Sequence, residues 1–254
     1  MVQTHRWPVE HELIPFEPGF PPGRRWLFLA PHPDDEVLGP GATLARAAAR
    51  GIQVSLVVVT NGGAQGDPTV REVEAREAAA ALGLPAPRFW GFADRALAAE
   101  QRRLEQAIRT VLAELTPDTV FVTSPVEIHP DHRTLAVAVQ RVLRRWTLGG
   151  LRRRPPQWLV AYEVTSAMAP NLLTDAGEGW KAKRRAAACY ASQLVFRPYD
   201  EAMEALGTFR RLTLTGVARA EAMHLLPVRT VVRWSPRRWA ASMGSPAGLE
   251  RRRR

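Results

Sequence analysis

Cysteine is all but absent from this chain. Cys189 stands alone, which excludes an internal disulfide and a cysteine-built zinc cluster and leaves histidine and carboxylates as the groups able to hold a metal. Long apolar runs are missing too. Stretches such as 26–30 and 54–59 fall far short of the roughly 18–20 residues needed to cross a bilayer, so no membrane span is expected. The first twenty residues mix His5, Arg6, Glu10, His11 and Glu12 with prolines and contain no apolar core of a secretion signal; a cytoplasmic location is the expectation. Lysine is scarce: of 35 basic residues only Lys181 and Lys183 are not arginine. The formal charge of +10 is concentrated at one end, because the stretch from Arg233 onward carries seven arginines against Glu250, a net +6, and leaves +4 for the first 232 residues. Basicity of that kind is a tail and not a nucleic-acid surface, so nucleic acid is not the expected partner. A local cluster remains at 144–154, where Arg144, Arg145, Arg152, Arg153 and Arg154 accompany Trp146, and a solvated loop is its simpler reading.

What is present is globular. A chain of 254 residues with 46% hydrophobic and 24% charged residues excludes general disorder and suffices for a sizeable α/β domain. Residues 1–24 are rich in proline without periodicity and predict a surface arm; 25–234 predict a single domain; 235–254 predict an arginine-rich tail. Within the domain, apolar or β-branched runs at 26–30, 53–59, 88–90, 118–123 and 157–163 alternate with helical stretches at 37–50, 69–82, 99–115 and 132–146. A connector at 148–156, a loop at 166–179, a helix at 180–192 and a last strand at 228–234 complete the pattern. Strands alternating with helices predict a mainly parallel sheet covered on both faces.

Two clusters carry the chemistry. Pro31-His32-Pro33-Asp34-Asp35-Glu36 follows the first strand, with Gly39 and Gly41 where a helix begins, and Glu127-Ile128-His129-Pro130-Asp131-His132-Arg133 follows the strand at 118–123, again at a helix entry. One aspartate capping a helix explains neither the histidine nor the further acids beside it. Parallel strands present their carboxyl ends to one edge, where the two clusters can converge. His32, Asp35 and His132 then make a nitrogen and oxygen donor set typical of a catalytic zinc site with a position left for water, and iron(II) suits the same donors nearly as well. Zinc lowers the pKa of bound water to about 7 and polarises a bound carbonyl, so a hydrolysis can run near neutral pH. Asp34, beside a ligand, is placed to take the water's proton and return it to the leaving nitrogen; His129 is placed to donate to an oxyanion; Asp131 is expected to orient His129 and keep it protonated.

The motifs at 31–36 and 129–132 resemble the two signatures of the PIG-L/LmbE family of zinc-dependent N-acetylglucosaminyl deacetylases. The resemblance implies a Rossmann-like three-layer fold and removal of N-acetyl from an N-acetylglucosamine-type sugar or its conjugate, with ligands His32, Asp35 and His132, base Asp34, and His129 with Asp131 at the oxyanion. It runs over about 26–195. Thr60-Asn61-Gly62 resembles the family's turn after the second strand, Arg71 with Glu74-Ala75 resembles a segment that supplies a substrate-contacting arginine, and Asp94 resembles an acidic position that meets sugar hydroxyls. For Arg71 a solvated helix face paired with Glu74 or Glu77 is the competing reading. Lys183, Ala186, Tyr190 and Ser192-Gln193 resemble the late helix, where histidine is common in place of Tyr190, and Ala42 stands where glycine is frequent.

The rivals fit less well. Gly39-Pro40-Gly41 lacks the third glycine of a dinucleotide fingerprint and follows a carboxylate-filled loop, and no Gly-x-Ser-x-Gly elbow occurs. A non-catalytic anion- or nucleic-acid-binding protein built on the arginines, and an amidase for larger conjugates, remain as alternatives. The expected partner is a small amino-sugar substrate, with the oligomeric state left open, a homo-oligomer included.

Overall fold

In Arg25–Ala30 (β1) every residue after Arg25 is buried, and successive side chains point to opposite faces. Trp26, Phe28 and Ala30 enter one apolar cluster, Leu27 and Leu29 another, so β1 lies mid-sheet with helices above and below. The computed structural model, which describes residues 9–149 and 154–244, builds on this strand a seven-stranded sheet. Its further strands are β2 (Gln53–Thr60), β3 (Arg88–Phe92), β4 (Thr119–Thr123), β5 (Trp158–Tyr162), β6 (Leu172–Asp175) and β7 (Ala220–Pro227), in the order β3-β2-β1-β4-β5-β7-β6. The first five run parallel, with Phe28 beside Leu56 and Phe121, and β7 runs antiparallel to both β5 and β6.

The helices are α1 (Glu10–Leu13), α2 (Asp35–Leu38), α3 (Gly41–Ala49), α4 (Pro68–Ala81), α5 (Gln101–Leu115), α6 (Pro130–Leu148), α7 (Gly177–Cys189), α8 (Ala191–Leu194), α9 (Tyr199–Phe209), α10 (Val228–Val231) and α11 (Pro236–Gly244). Small residues let α3, α4 and α7 pack closely over Trp26, Phe28 and Val58, while Leu104 and Ile108 of α5 and Leu135 and Val139 of α6 cover the face of Leu27, Leu29 and Val120. The result is the Rossmann-like three-layer arrangement. The chain winds outward from β1 through β2 to β3, then returns to the other side of β1 for β4 and β5. The carboxyl ends of β1 and β4 are therefore neighbours where the winding reverses, which is where open α/β sheets bind ligands. Among the described residues no helix is long and apolar enough to cross a membrane.

Several expected elements are corrected. The helix expected over 37–50 is two, α2 and α3, broken at Gly39-Pro40: Pro40 has no N–H to continue the ladder, and a Cβ at Gly39 would lie 2.7 Å from the Tyr162 ring. The last strand is β7 at 220–227 and not 228–234. Glu221 and His224 interrupt its apolar pattern, whereas the valines after Pro227 that suggest a strand form α10 and bury as one helical turn. β6 lies inside the expected loop 166–179, and α9 was not expected. The tail boundary at 235 also moves. Residues 236–244 form α11, whose Trp239 and Met243 bury in the core while Arg237 and Arg238 stay exposed; residues 245–254 lie outside the described residues. Of the arginine cluster, Arg145 pairs with Glu105 and Trp146 is buried in the core, and Arg152 and Arg153 lie outside the described residues. In the arm, Gly19 donates to the Leu173 carbonyl and the Pro22 carbonyl accepts from Trp26 and Thr119.

Candidate active site

The loop after β1 and the loop after β4 place three donor atoms in one small triangle. His32 Nδ1 and His132 Nε2 are 3.1 Å apart, His32 Nδ1 and Asp35 Oδ2 3.3 Å, and His132 Nε2 and Asp35 Oδ2 3.2 Å. All three residues are buried. Donors held at about 2.0–2.2 Å in a tetrahedron stand about 3.3–3.6 Å from one another, so the triangle has nearly the dimensions of one face of such a site. The local folding is simple. The His32 N–H donates to Asp35 Oδ2 at 2.8 Å, closing the turn, and the two prolines flanking His32 limit its backbone freedom.

The surroundings favour added positive charge. Burial alone lowers the pKa of His32, but the carboxylates of Asp131, Asp35 and Asp94 outweigh it and hold His32 well above its ordinary value. His132 is pushed up to about 9 in the same way, chiefly by Asp35 against the opposing effect of burial. Asp35 is held well below the carboxylate range by both imidazoles despite being buried. The nitrogen of His32 outside the triangle, Nε2, lies 3.2 Å from Asp94 Oδ1 and 3.4 Å from Asp131 Oδ2. Carboxylates behind ligand imidazoles fix tautomer and orientation in metal sites. Spacing, burial and charge thus fit a divalent cation held by His32, Asp35 and His132. Other combinations also come within reach of one another: His32 with His129 and His132, and His32 with Asp94 and Asp131. Asp131 is less free to ligate, because its oxygens already accept from the Arg95 and Leu97 N–H groups at 2.6 and 3.3 Å.

Asp34 lies beside the triangle on a backbone with φ 115°, a left-handed value that side chains avoid. Three contacts hold it. Its N–H donates to Glu36 Oε2 at 3.2 Å, its Oδ2 accepts from Arg71 at 3.0 Å, and the same Arg71 guanidinium donates to the Pro33 carbonyl. Burial first, and the Asp35 charge second, push its carboxyl up to about 7 against the pull of Arg71 and the histidines. Arg71 is therefore buried and tied to the Asp34 loop; it is not a solvated partner of Glu74 or Glu77. Gly62 makes room for it: at φ +64° a Cβ there would lie 3.2 Å from the Arg71 guanidinium carbon and 3.1 Å from Pro33.

His129 caps the amino end of α6, its Nδ1 accepting from the Asp131 N–H at 3.2 Å, which leaves Nε2 to carry the proton. Burial and the neighbouring His32 and His132 lower its pKa, so it is a neutral donor. This corrects the expected role of Asp131: its backbone, not its carboxylate, meets His129, and the carboxylate sits behind His32. Asp94 lines the cleft, but its Oδ1 faces His32 and its Oδ2 accepts from the Ala64 N–H at 3.2 Å. His32, Asp34, Asp35, His129 and His132 line one open cleft.

Further residues support the site. Tyr190, which stands where histidine is common in the family the chain resembles, donates its hydroxyl to the buried Glu36 carboxyl. Lys183 donates to the Gly39 carbonyl at 2.5 Å and to Glu221 at 2.7 Å, while Glu221 accepts from the Ala42 and Thr43 N–H groups, so the pair clamps the break between α2 and α3. Opposite Ala42, which stands where glycine is frequent, Gly179 supplies the close approach, since a Cβ there would lie 2.2 Å from the Ala42 carbonyl oxygen. Glu221 does not stand out in the sequence. Glu127 lies in the second cluster, and only its acidic type among histidines pointed to it.

The chain is similar in sequence and fold to known proteins. The PIG-L family model, described as GlcNAc-PI de-N-acetylase, matches residues 27–143, a span that contains both loops. A probable N-acetyl-alpha-D-glucosaminyl L-malate deacetylase 2 of Bacillus cereus is 28% identical over 136 residues, 48% of this chain and 62% of that protein's length. Among solved structures, the N,N'-diacetylchitobiose deacetylase of Pyrococcus horikoshii superposes with a TM-score of 0.71 at 22% identity, covering 82% of this chain and 85% of its own, a likeness of fold. A conserved protein of Thermus thermophilus superposes at 0.65 with 34% identity, covering 78% and 93%. With both signature loops inside the matched span and a 34%-identical relative covered almost end to end, the chain belongs to the PIG-L family.

Proposed function

We propose that the protein is a metal-dependent N-deacetylase that hydrolyses the acetamido group of an N-acetylglucosamine-type sugar or its conjugate. The observation that carries this reading is the triangle of His32 Nδ1, Asp35 Oδ2 and His132 Nε2 with the Asp34 carboxylate beside it. Zinc, or iron(II) on the same donors, would supply Lewis-acid polarisation and a more acidic water there. The remaining chemistry belongs to the side chains. Asp34 accepts a proton from the attacking water and returns it to the amine nitrogen as the C–N bond breaks, giving acetate and the free amine. A pKa raised toward neutrality suits a group that must both take and give a proton. Arg71 and the Glu36 carboxyl keep Asp34 on its strained backbone and aimed into the cleft. His129 Nε2–H donates to the carbonyl oxygen as negative charge develops on it. Arg71 and Asp94, at the cleft wall, are the proposed neighbours of the sugar.

Names of relatives support the substrate class: the Bacillus cereus protein is described as acting on a glucosaminyl malate and the Pyrococcus horikoshii protein on diacetylchitobiose. The test is acetate release from N-acetylglucosamine conjugates by the metal-loaded protein. Asp34→Ala is expected to lower kcat/KM by about 10²–10⁴-fold with the metal retained. An active Asp34→Ala enzyme would contradict the mechanism.

A further inference from the structure

Glu127 is 1% exposed, and its carboxylate gathers more donors than a loop cap requires. Oε1 accepts from the Val164 N–H at 2.6 Å and the Ser166 N–H at 3.3 Å; Oε2 accepts from the Thr165 N–H at 3.1 Å and the Thr165 hydroxyl at 2.6 Å. Oε2 also lies 3.5 Å from His132 Nδ1, the nitrogen of that imidazole facing away from the triangle. An imidazole that binds a cation through Nε2 carries its proton on Nδ1 and needs an acceptor for it. His132 Nδ1 has no hydrogen-bond partner among the described residues, and Glu127 is the carboxylate that faces it. Val164 and Thr165, on the far side of Glu127, line the same cleft as His132.

We propose that Glu127 is a positioning residue that orients the ligand His132 and the cleft wall at 164–166 from one carboxylate, so that metal affinity and substrate fit are set together. The inference rests on the metal-site reading above. It assigns Glu127 two separable duties, one at each end of its contacts. Glutamine at 127 keeps the length and one acceptor oxygen for the wall, but it removes the negative charge behind His132 and can turn an N–H toward Nδ1. Valine at 165 removes only the hydroxyl contact on the wall and leaves the carboxylate opposite His132.

The experiment is competition of each purified protein with a chromophoric chelator for Zn²⁺, beside kcat and KM on an N-acetylated amino sugar. Glu127→Gln is expected to weaken Zn²⁺ binding about 10–100-fold. Thr165→Val is expected to leave Zn²⁺ affinity unchanged and raise KM. Proton NMR of the Zn²⁺-loaded wild type supplies a signature that a merely structural role would not move: a downfield, exchange-protected His132 Nδ1–H resonance, absent in Glu127→Gln. If Glu127→Gln does not fold, Glu127→Asp, which keeps the charge but withdraws it from His132, must show weakened Zn²⁺ binding. Folded Glu127→Gln or Glu127→Asp holding Zn²⁺ as tightly as wild type would overturn the proposal. Wild-type protein that binds no Zn²⁺ would instead overturn the metal-site reading beneath it.

Discussion

Asp34 occupies a backbone conformation that an L-amino acid adopts only at a cost of about 1–3 kcal/mol, and the surroundings hold it there: the Glu36 carboxyl takes its N–H and Arg71 its carboxylate. In the proposed mechanism Asp34 points its carboxylate into the cleft, and the strain is the stability cost of that placement. The cost can be separated from the charge by comparing two variants that both lack the carboxylate. Asp34→Gly is expected to be more stable than Asp34→Ala by about 1–3 kcal/mol, because glycine adopts positive φ freely. Both are expected to be inactive. Urea unfolding of the pair measures the difference, and equal stability would mean that the backbone at 34 relaxes in the variants.

At the scale of elements, the site depends on where α2 stops. The Lys183–Glu221 pair joins α7 and β7 to the Gly39 carbonyl and the first N–H groups of α3, and both side chains are buried. Removing one partner of a buried pair strands the other charge, so Lys183→Met is expected to destabilise the protein by about 3–5 kcal/mol. Thermal unfolding checks it; a variant as stable as wild type would mean that Glu221 is satisfied by the α3 amides alone. The same elements mark what the sequence could and could not tell. Of the five parallel strands, β1, β2, β4 and β5 were legible because inner strands of a covered sheet are near-continuous apolar runs, and the edge strand β3 was legible only as the short run 88–90; the two histidine loops followed from strand direction. β6 and β7 were not, since an antiparallel pair at the sheet edge is built from mixed residues such as Leu172-Leu173-Thr174-Asp175 and places Glu221 and His224 in buried positions. The helix break at Gly39-Pro40 depends on Tyr162, far away in the chain. The triangle of His32, Asp35 and His132 was legible from residue type and spacing. The carboxylates behind the histidines were only half legible: Asp131 was named for the wrong partner, because a residue adjacent to His129 in sequence turns its side chain to His32 through the fold.

At the scale of the whole molecule, the fold is shared widely enough that it does not specify a reaction by itself. The function proposed here rests on the junction of two loops at the reversal of strand order, with charge arranged to attract a cation: four carboxylates, Asp35, Asp94, Asp131 and Glu127, stand around two imidazoles whose donor atoms face each other. Two arginines line the same cleft, Arg71 and Arg95, and Arg71 is committed to Asp34. The most direct measurement is therefore elemental analysis of metal bound per chain after dialysis, on wild type, His132→Ala and Asp34→Ala in parallel. The account predicts about one zinc or iron in wild type and in Asp34→Ala and little in His132→Ala. Folded wild type without metal in the presence of excess Zn²⁺, or His132→Ala retaining a full equivalent, would contradict it.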